Sequence, residues 1–113
     1  MPSNFQSARE FTTLTIPNNQ TTSSTYELNG THLVAVLFPN AFTSSKLKIQ
    51  GSLDGTNFYD VYGSESGTTK EIKVTVNTIT VVENNYDNPF NFIRLVSNSA
   101  ETAERILKIV CNP

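Results

Sequence analysis

Apolar and polar residues alternate one by one through the middle of this chain, and a period of two predicts β-strands rather than helices. The clearest case is the segment 46–53, KLKIQGSL, in which leucine and isoleucine alternate with lysine and glutamine. The pair Asp54–Gly55 follows it and is typical of a tight hairpin turn. Similar short runs recur at a spacing of about 8–12 residues with turn residues between them, so the chain is predicted to be all-β.

One strand differs from the others in being almost wholly apolar. The segment 32–38, HLVAVLF, predicts a strand that is buried on both faces at the centre of a sheet. Farther on, the strand 72–76 is expected to continue through a bend at 77–78 into 79–82. We count eight or nine short strands, which favours an antiparallel β-sandwich of jelly-roll-like type. A plain sandwich, a jelly roll and an open barrel share these patterns.

The length of the chain sets its domain organisation. A chain of 113 residues is the size of one domain, so residues 11–113 are expected to form a single β-sandwich. Residues 1–10 contain no apolar period and are expected to form an extended N-terminal arm. The connection 98–104 could hold one helical turn, but it is too short for a helix that packs.

Composition excludes several classes of partner. The formal net charge is −2 and the basic residues are scattered singly, so nucleic acid is not expected as a partner. No apolar run approaches the roughly 18 residues of a membrane span, and no charged-then-apolar leader is present. Ser, Thr and Asn supply about a third of the chain, a mixture suited to exposed strands and turns. The single cysteine, Cys111, has no internal disulfide partner, which fits assembly in a reducing cytoplasm.

Residues that could carry out catalysis form no recognisable pattern in this sequence. The only histidine, His32, opens the apolar strand and is interpreted as a strand-end residue. Cys111 lies in an apolar final strand and is interpreted as a buried small hydrophobe rather than a reactive thiol. No glycine-rich phosphate loop is present. We therefore expect no enzymatic activity and no cofactor.

A calcium site was weighed at the hairpin. Asp54, Asn57 and Asp60 lie close together there, and their oxygens are of the kind that binds Ca²⁺. Their spacing does not match an EF-hand loop, so Asp54 is interpreted as a turn residue and Asp60 as a solvent-facing strand residue. Glu83 and Asp87 form a weaker pair of the same kind. No metal site is predicted.

Tyrosines are the better candidates for partner contacts, because exposed tyrosine beside amide side chains is used in protein interfaces and sugar sites. Tyr59 and Tyr62 flank a predicted hairpin, and Tyr86 lies in an asparagine-rich loop. The alternative is that most of the tyrosines cap the core with only the hydroxyl exposed. Three phenylalanines are expected to close the ends of the sandwich: Phe42, Phe90 and Phe92.

The order of turns and aromatic residues carries a further signal. The chain has a Pro-x-x-Phe turn, an alternating strand, an Asp-Gly hairpin, an aromatic-Tyr strand and a late arginine-led strand. The matching positions are Pro39, Phe42, Asp54, Gly55, Phe58 and Tyr62. In this order residues 14–113 resemble small β-sandwich virion proteins of tailed bacteriophages, with 52–62 as the most specific part. The matching positions look like fold determinants, so the resemblance implies no binding residues.

Proteins of this kind include capsid cement, or decoration, proteins, which are often trimers. The resemblance thus implies a structural virion protein on the capsid surface that is assembled in the host cytoplasm. Its partners would be the major capsid protein and further copies of itself, with a homotrimer favoured. Phe5, Arg9 and Phe11 are expected to anchor the arm. The alternatives are a tail or fibre module for host carbohydrate, built on Tyr59, Tyr62 and Tyr86, and a tail or neck assembly component.

Overall fold

The fold is seen in a computed structural model, which describes residues 10–62, 67–82 and 90–112 of the chain. Within these ranges every regular element is a β-strand, which confirms the all-β prediction. The described residues contain no helix that could span a membrane. The strands are β1 (Glu10–Ile16), β2 (Tyr26–Glu27), β3 (His32–Leu37), β4 (Lys46–Ser52), β5 (Tyr59–Asp60), β6 (Glu71–Lys73), β7 (Ile79–Val81), β8 (Phe92–Ser97) and β9 (Arg105–Asn112).

These strands form two antiparallel sheets. Sheet 1 has the order β1-β9-β3-β7, and sheet 2 has the order β2-β8-β4-β5, with β6 also paired to β4. From β1 to β4, and again from β7 to β9, consecutive strands alternate between the sheets. Each sheet therefore combines strands from both ends of the chain. β3 lies between β9 and β7, so the interior position predicted for the apolar segment is confirmed.

The inward side chains of the two sheets meet in one hydrophobic core. In sheet 1 Leu14 pairs with Leu107, and in sheet 2 Ile49 pairs with Leu95, so the alternating positions face the same interior. Burying an aliphatic side chain of this size contributes about 1.5–3 kcal/mol, which makes this cluster the main force holding the sheets together. Its members are Leu14, Ile16, Leu28, Leu33, Val36, Phe38, Leu47, Ile49, Ile72, Ile93, Leu95, Leu107, Ile109 and Cys111.

The bend expected at 77–78 is present, and it separates two strands that belong to different sheets. β6 pairs with β4 in sheet 2, whereas β7 pairs with β3 in sheet 1. Asn77 has φ 58°, a left-handed conformation that asparagine tolerates better than most residues, and its N–H donates to the carbonyl of Pro39. The alternating pattern identified both strands but not the change of sheet between them.

Three phenylalanines lie half-buried at the margins of the core. Phe42 packs edge to face against Phe38 with ring centroids 5.7 Å apart. The ring of Phe90 covers Gly51, where a Cβ atom would come within 2.6 Å of it, and Phe92 lies over Gly55. Glycine at 51 therefore permits this close approach of ring and strand.

β1 begins at Glu10, one residue before the predicted boundary between arm and domain. Residues 1–9, including Phe5 and Arg9, lie outside the described residues.

Candidate interaction surfaces

The outer face of sheet 2 carries a hydrogen-bonded polar network, here called the polar face (Lys48, Gln50, Asp60 and Arg94). The amide of Gln50 accepts from Arg94 Nε at 2.8 Å and donates to Asp60 Oδ1 at 2.8 Å. Lys48 Nζ lies 3.2 Å from Asp60 Oδ2. The hydrogen bond from Gln50, and next that from Lys48, hold the pKa of the Asp60 carboxyl below its ordinary value.

Two further contacts complete this side of the molecule. The guanidinium of Arg94 lies 4.2 Å from the centroid of the Phe58 ring, a cation–π geometry. Lys46 and Glu71 form an exposed ion pair at 3.6 Å. The charged groups of the polar face are thus paired within the face itself.

The outer face of sheet 1 is different in kind. Ile79 is 67% exposed, Val81 68% and Ile106 50%. The register aligns Leu37 with Ile79 and Ala35 with both Val81 and Val110, so these side chains lie in adjacent rows. We call this surface the apolar face (Leu37, Ile79, Val81, Ile106 and Val110). A shallow depression runs across the sheet here, lined by Thr12, Thr13, Leu37, Ile79, Lys108, Ile109 and Val110.

This surface corrects one sequence prediction. The apolar strand β3 is expected to be buried on both faces, but only part of it is covered: Leu33, Ala35 and Val36 are buried. Val34 and Leu37 are half-buried, because no layer of the described chain covers the outer side of sheet 1. The apolar sequence was read correctly as interior to a sheet. Sheet 2 packs against the inner side of sheet 1 only. The outward residues of β3 are therefore left without a covering layer of described residues, which the sequence did not show.

The candidate tyrosines do not form one platform. Tyr59 is 70% exposed and Tyr62 59%, so the core-capping alternative is wrong for these two. Extended backbone joins them, since Val61 bonds to both Ile49 and Lys70. Side chains three residues apart in extended backbone point to opposite faces, so Tyr59 and Tyr62 diverge. Tyr26 is half-buried against the core, and Tyr86 lies outside the described residues.

The hairpin after β4 uses its carboxylate to fix its own backbone. Asp54 Oδ1 accepts from the N–H groups of Thr56 and Asn57, both at 2.9 Å, and from Ser52 Oγ at 3.0 Å. Asp54 Oδ2 accepts from the Asn57 side chain at 2.9 Å. The backbone hydrogen bonds of Asn57 and Thr56 hold the pKa of Asp54 well below its usual range. These bonds support the interpretation of Asp54 as a turn residue.

Asp60 belongs to the polar face and not to the network around Asp54. Its partners are Gln50 and Lys48. Among the described residues no three His, Cys, Asp or Glu side chains come together as potential metal ligands. Glu83 and Asp87 lie outside the described residues. The three oxygen donors weighed for calcium are thus divided between two separate networks.

Sequence reasoning missed Glu101, a fully buried carboxylate. Its oxygens accept from the N–H of Thr43 at 2.8 Å and of Ser44 at 3.0 Å, from Ser97 Oγ at 3.2 Å and from Arg105 Nε at 2.9 Å. Burial alone raises its pKa, but these donors outweigh burial and lower the pKa to about 2. In the sequence Glu101 is one acidic residue in a polar connection, with Arg105 as the only hint of a partner.

The remaining candidates are placed as follows. Phe11 stands opposite Val110 in the β1–β9 register. His32 is the half-buried first residue of β3 and pairs with Asn112, whereas Cys111 is buried in the core. Cys111 pairs with Leu33, the residue after His32, and successive side chains of a strand point to opposite faces. His32 and Cys111 therefore lie on opposite sides of sheet 1. Cysteine and histidine are therefore not brought together.

Comparison with known proteins adds one likeness. No protein-family model matches the chain, and no curated protein matches it. Among solved structures, the SPBc2 prophage-derived protein YomS is similar in fold, with a TM-score of 0.57 and 9% sequence identity. The similarity covers 91% of this chain and 93% of that chain. At this identity the likeness concerns the fold alone, which the two chains share over nearly their whole length.

Proposed function

We propose that this chain is a non-catalytic structural protein of a tailed-phage particle, and that it binds and reinforces the capsid as a cement or decoration protein. The fold it shares with a prophage-derived protein supports the viral setting. The resemblance of residues 14–113 to small virion proteins supports the same setting from the sequence side. The order of strands, which alternate between two sheets, supports the finer assignment to a jelly roll.

The observation that carries the proposal is the contrast between the two outer faces. The polar face satisfies its own charges, while the apolar face exposes Ile79, Val81 and Ile106. Four strands about 4.8 Å apart and a rise of about 3.4 Å per residue give sheet 1 a footprint of about 400 Å². The apolar face occupies part of this area, beside outward polar residues such as Thr13 and Lys108, and exposed apolar patches on small proteins are often binding sites. The capsid shell is the partner we assign to it.

The same footprint explains why many copies would be needed. A stable interface buries about 800 Å² per partner, so the outer side of one sheet 1 supplies about half of that area. A protein that binds a repeating shell can add contacts by associating with its own copies or through the segment 1–9, which contains Phe5 and Arg9. We therefore place a homo-oligomer on the virion surface, with the major capsid protein beneath it.

Quantitative mass spectrometry of purified particles of the encoding phage tests the assignment. A copy number comparable with that of the major shell protein is expected of a cement protein. A handful of copies would reject capsid reinforcement and move the protein to the tail or neck. Absence from the particle would reject the virion assignment as a whole.

A double substitution tests whether the apolar face makes the contact. Ile79→Lys with Val81→Lys places two charges on exposed positions of an edge strand, where lysine is well tolerated. We expect the affinity for the particle to fall at least tenfold, or about 1.4 kcal/mol per site, while the melting temperature changes little. The matched control is Lys46→Gln with Lys73→Gln on the opposite side, which should bind as the wild type does. Equal occupancy of both variants would show that another surface makes the contact.

Host carbohydrate recognition on a tail or fibre is the second candidate, because Tyr59 and Tyr62 are both well exposed. Their opposite directions mean that each would have to act as a separate stacking residue. A glycan array checks this candidate directly. Binding that is lost in Tyr59→Ala or Tyr62→Ala would favour it over capsid reinforcement, whereas a blank array at high protein concentration would count against it.

A further inference from the structure

One edge of sheet 1 is long and regular. β1 has seven residues and pairs with β9 through all of them without a register shift. The other edge strands, β2, β5, β6 and β7, have two or three residues each. Short edges are a usual protection against pairing with another chain, and so are prolines, lysines and bulges. The β1 sequence EFTTLTI has none of these protections.

The hydrogen bonds of Thr15 show which backbone groups face outward along this edge. Its N–H donates to Ser24 Oγ at 3.1 Å, and its carbonyl accepts from the Ser24 N–H at 2.9 Å. The backbone N–H and carbonyl of Thr15 therefore point away from β9. In an antiparallel pair, residues whose backbone groups bond to the neighbouring strand alternate with residues whose backbone groups do not. The backbone N–H and carbonyl groups of Phe11 and Thr13 therefore also point away from β9.

No residue in the described ranges forms hydrogen bonds with the outward backbone groups of Thr13 or Phe11 as Ser24 does with those of Thr15. As far as residues 10–62, 67–82 and 90–112 are concerned, the edge is thus closed at Thr15 and open from Phe11 to Thr13. Its two N–H groups and two carbonyls are spaced as the hydrogen-bonding groups that pair one β-strand with the next.

We propose that this open edge pairs with the same edge of a second copy, across a two-fold axis at Thr12. Antiparallel pairing of identical strands is self-complementary, as a two-fold contact requires. Phe11 of each copy would exchange both backbone hydrogen bonds with Thr13 of the other, and the two Thr12 residues would face each other without bonding. Ser24 at Thr15 limits the pairing to this short segment.

The pairing goes beyond capsid binding and stands without it, since it rests on backbone groups of β1. Its consequence is an eight-stranded sheet made of two copies of sheet 1. A two-fold axis perpendicular to a sheet keeps the outer faces on the same side. The outer sides of the two sheets would then form one surface with a footprint of about 800 Å², in which the two apolar faces flank the paired β1 strands. That footprint is the area a stable interface buries per partner.

Thr13→Pro tests the hydrogen bonding. Proline removes the N–H of residue 13, which faces the open edge and not β9, so the sheet itself loses no bond. In sedimentation equilibrium the wild type should rise from one to two subunit masses with concentration. Thr13→Pro should dissociate at least tenfold more readily, and Thr13→Val, which keeps the N–H, should behave as the wild type.

Amide hydrogen exchange in the wild type covers the case in which Thr13→Pro does not fold. The amides of Phe11 and Thr13 should exchange at least tenfold more slowly at high protein concentration than at low. A wild-type mass of one subunit at every concentration would overturn the proposal. A mass of three subunits would overturn it as well, because a two-fold edge contact closes at two.

Cysteine cross-linking tests the register. Facing residues of a non-bonded antiparallel pair have Cα atoms about 4.5 Å apart, within the range that a disulfide spans. Thr12→Cys should therefore form a covalent dimer on oxidation at least ten times faster than Thr13→Cys, whose opposite residue is Phe11. The native Cys111 is buried and is common to both variants. Equal rates for the two variants would reject the two-fold axis at Thr12.

Discussion

Replacing Glu101 with alanine is expected to lower the free energy of unfolding by about 3–5 kcal/mol, the range found when one partner of a buried ion pair is removed. Domains of this size have a total stability of about 5–15 kcal/mol, so the loss would be a large fraction of it. Urea denaturation at pH 7, followed by circular dichroism, measures the difference.

The size of the effect follows from what the carboxylate holds. Glu101 is fully buried, and it joins the loop containing Thr43 and Ser44 to the connection between β8 and β9. Without it, the buried N–H of Ser44 and the partly buried N–H of Thr43 and guanidinium of Arg105 lose their charged acceptor. An unsatisfied buried donor costs about 1–3 kcal/mol, and more when it is charged.

Two further variants show whether the hydrogen bonds of the Glu101 carboxylate cause the loss of stability, or whether any substitution in this connection does. Glu101→Gln keeps the shape but turns one acceptor into a donor that faces other donors, so it should also destabilise, by a smaller amount. Glu104→Ala, in the same connection but exposed, should change stability by less than about 0.5 kcal/mol. A loss for Glu101→Ala no greater than that for Glu104→Ala would mean that the carboxylate does not hold the loops.

The same carboxylate predicts a pH dependence. The pKa of Glu101 is lowered from 4.5 to about 2 in the folded chain, so the unfolded chain binds the proton more tightly. The stability this group contributes is therefore complete above pH 4.5 and is lost as the pH falls through that value toward 2. The difference in stability between wild type and Glu101→Gln should shrink over this window. A difference that stays constant from pH 6 to pH 2.5 would contradict the assignment.

Replacing Gly51 with valine is expected to lower the free energy of unfolding by about 1–3 kcal/mol, the usual cost of overpacking a core. The position lies inside β4, where valine by propensity would be favoured over glycine. The expected loss comes from the Phe90 ring, whose atoms would lie 2.6 Å from an added Cβ. Gly51→Ala should follow the same direction with a smaller effect.

A double-mutant cycle with Phe90→Ala identifies the ring as the obstacle. Removing the ring opens space for the valine, so Gly51→Val should cost less in the Phe90→Ala background, with a coupling of at least about 1 kcal/mol. Thermal or urea unfolding of the four proteins measures it. Additive losses would show that the backbone of β4, and not the ring above it, requires glycine.

Several elements were predictable because they depend on local pattern. The period of two located β4 and its inward residues Leu47 and Ile49, and the Asp54–Gly55 pair located the following turn. The apolar run located β3 and its interior position. The bend predicted at Asn77 is present, because asparagine tolerates the φ that it needs, but the predicted continuation of one strand through it is wrong.

The candidate contacts were harder to predict, because exposure depends on what the rest of the chain covers. Tyr59 and Tyr62 are exposed, but the sequence did not show that they diverge, and their role as partner contacts stays a prediction. Ile79 and Val81 carry the strongest sign of a binding surface, and in the sequence they look like core residues. The candidate contacts at Phe5, Arg9 and Tyr86 remain predictions, since those residues lie outside the described ranges.

By itself, the sequence determined that this chain forms short antiparallel strands around an aliphatic core, because side-chain alternation and turn residues act over a few neighbouring positions. Only the tertiary structure decided which strands share a sheet, where Glu101 finds its donors, and which faces and edges lack a partner. Those properties arise from contacts between residues far apart in the chain. The apolar face and the open edge of β1 belong to this second class, since both depend on where sheet 2 and Ser24 come to lie.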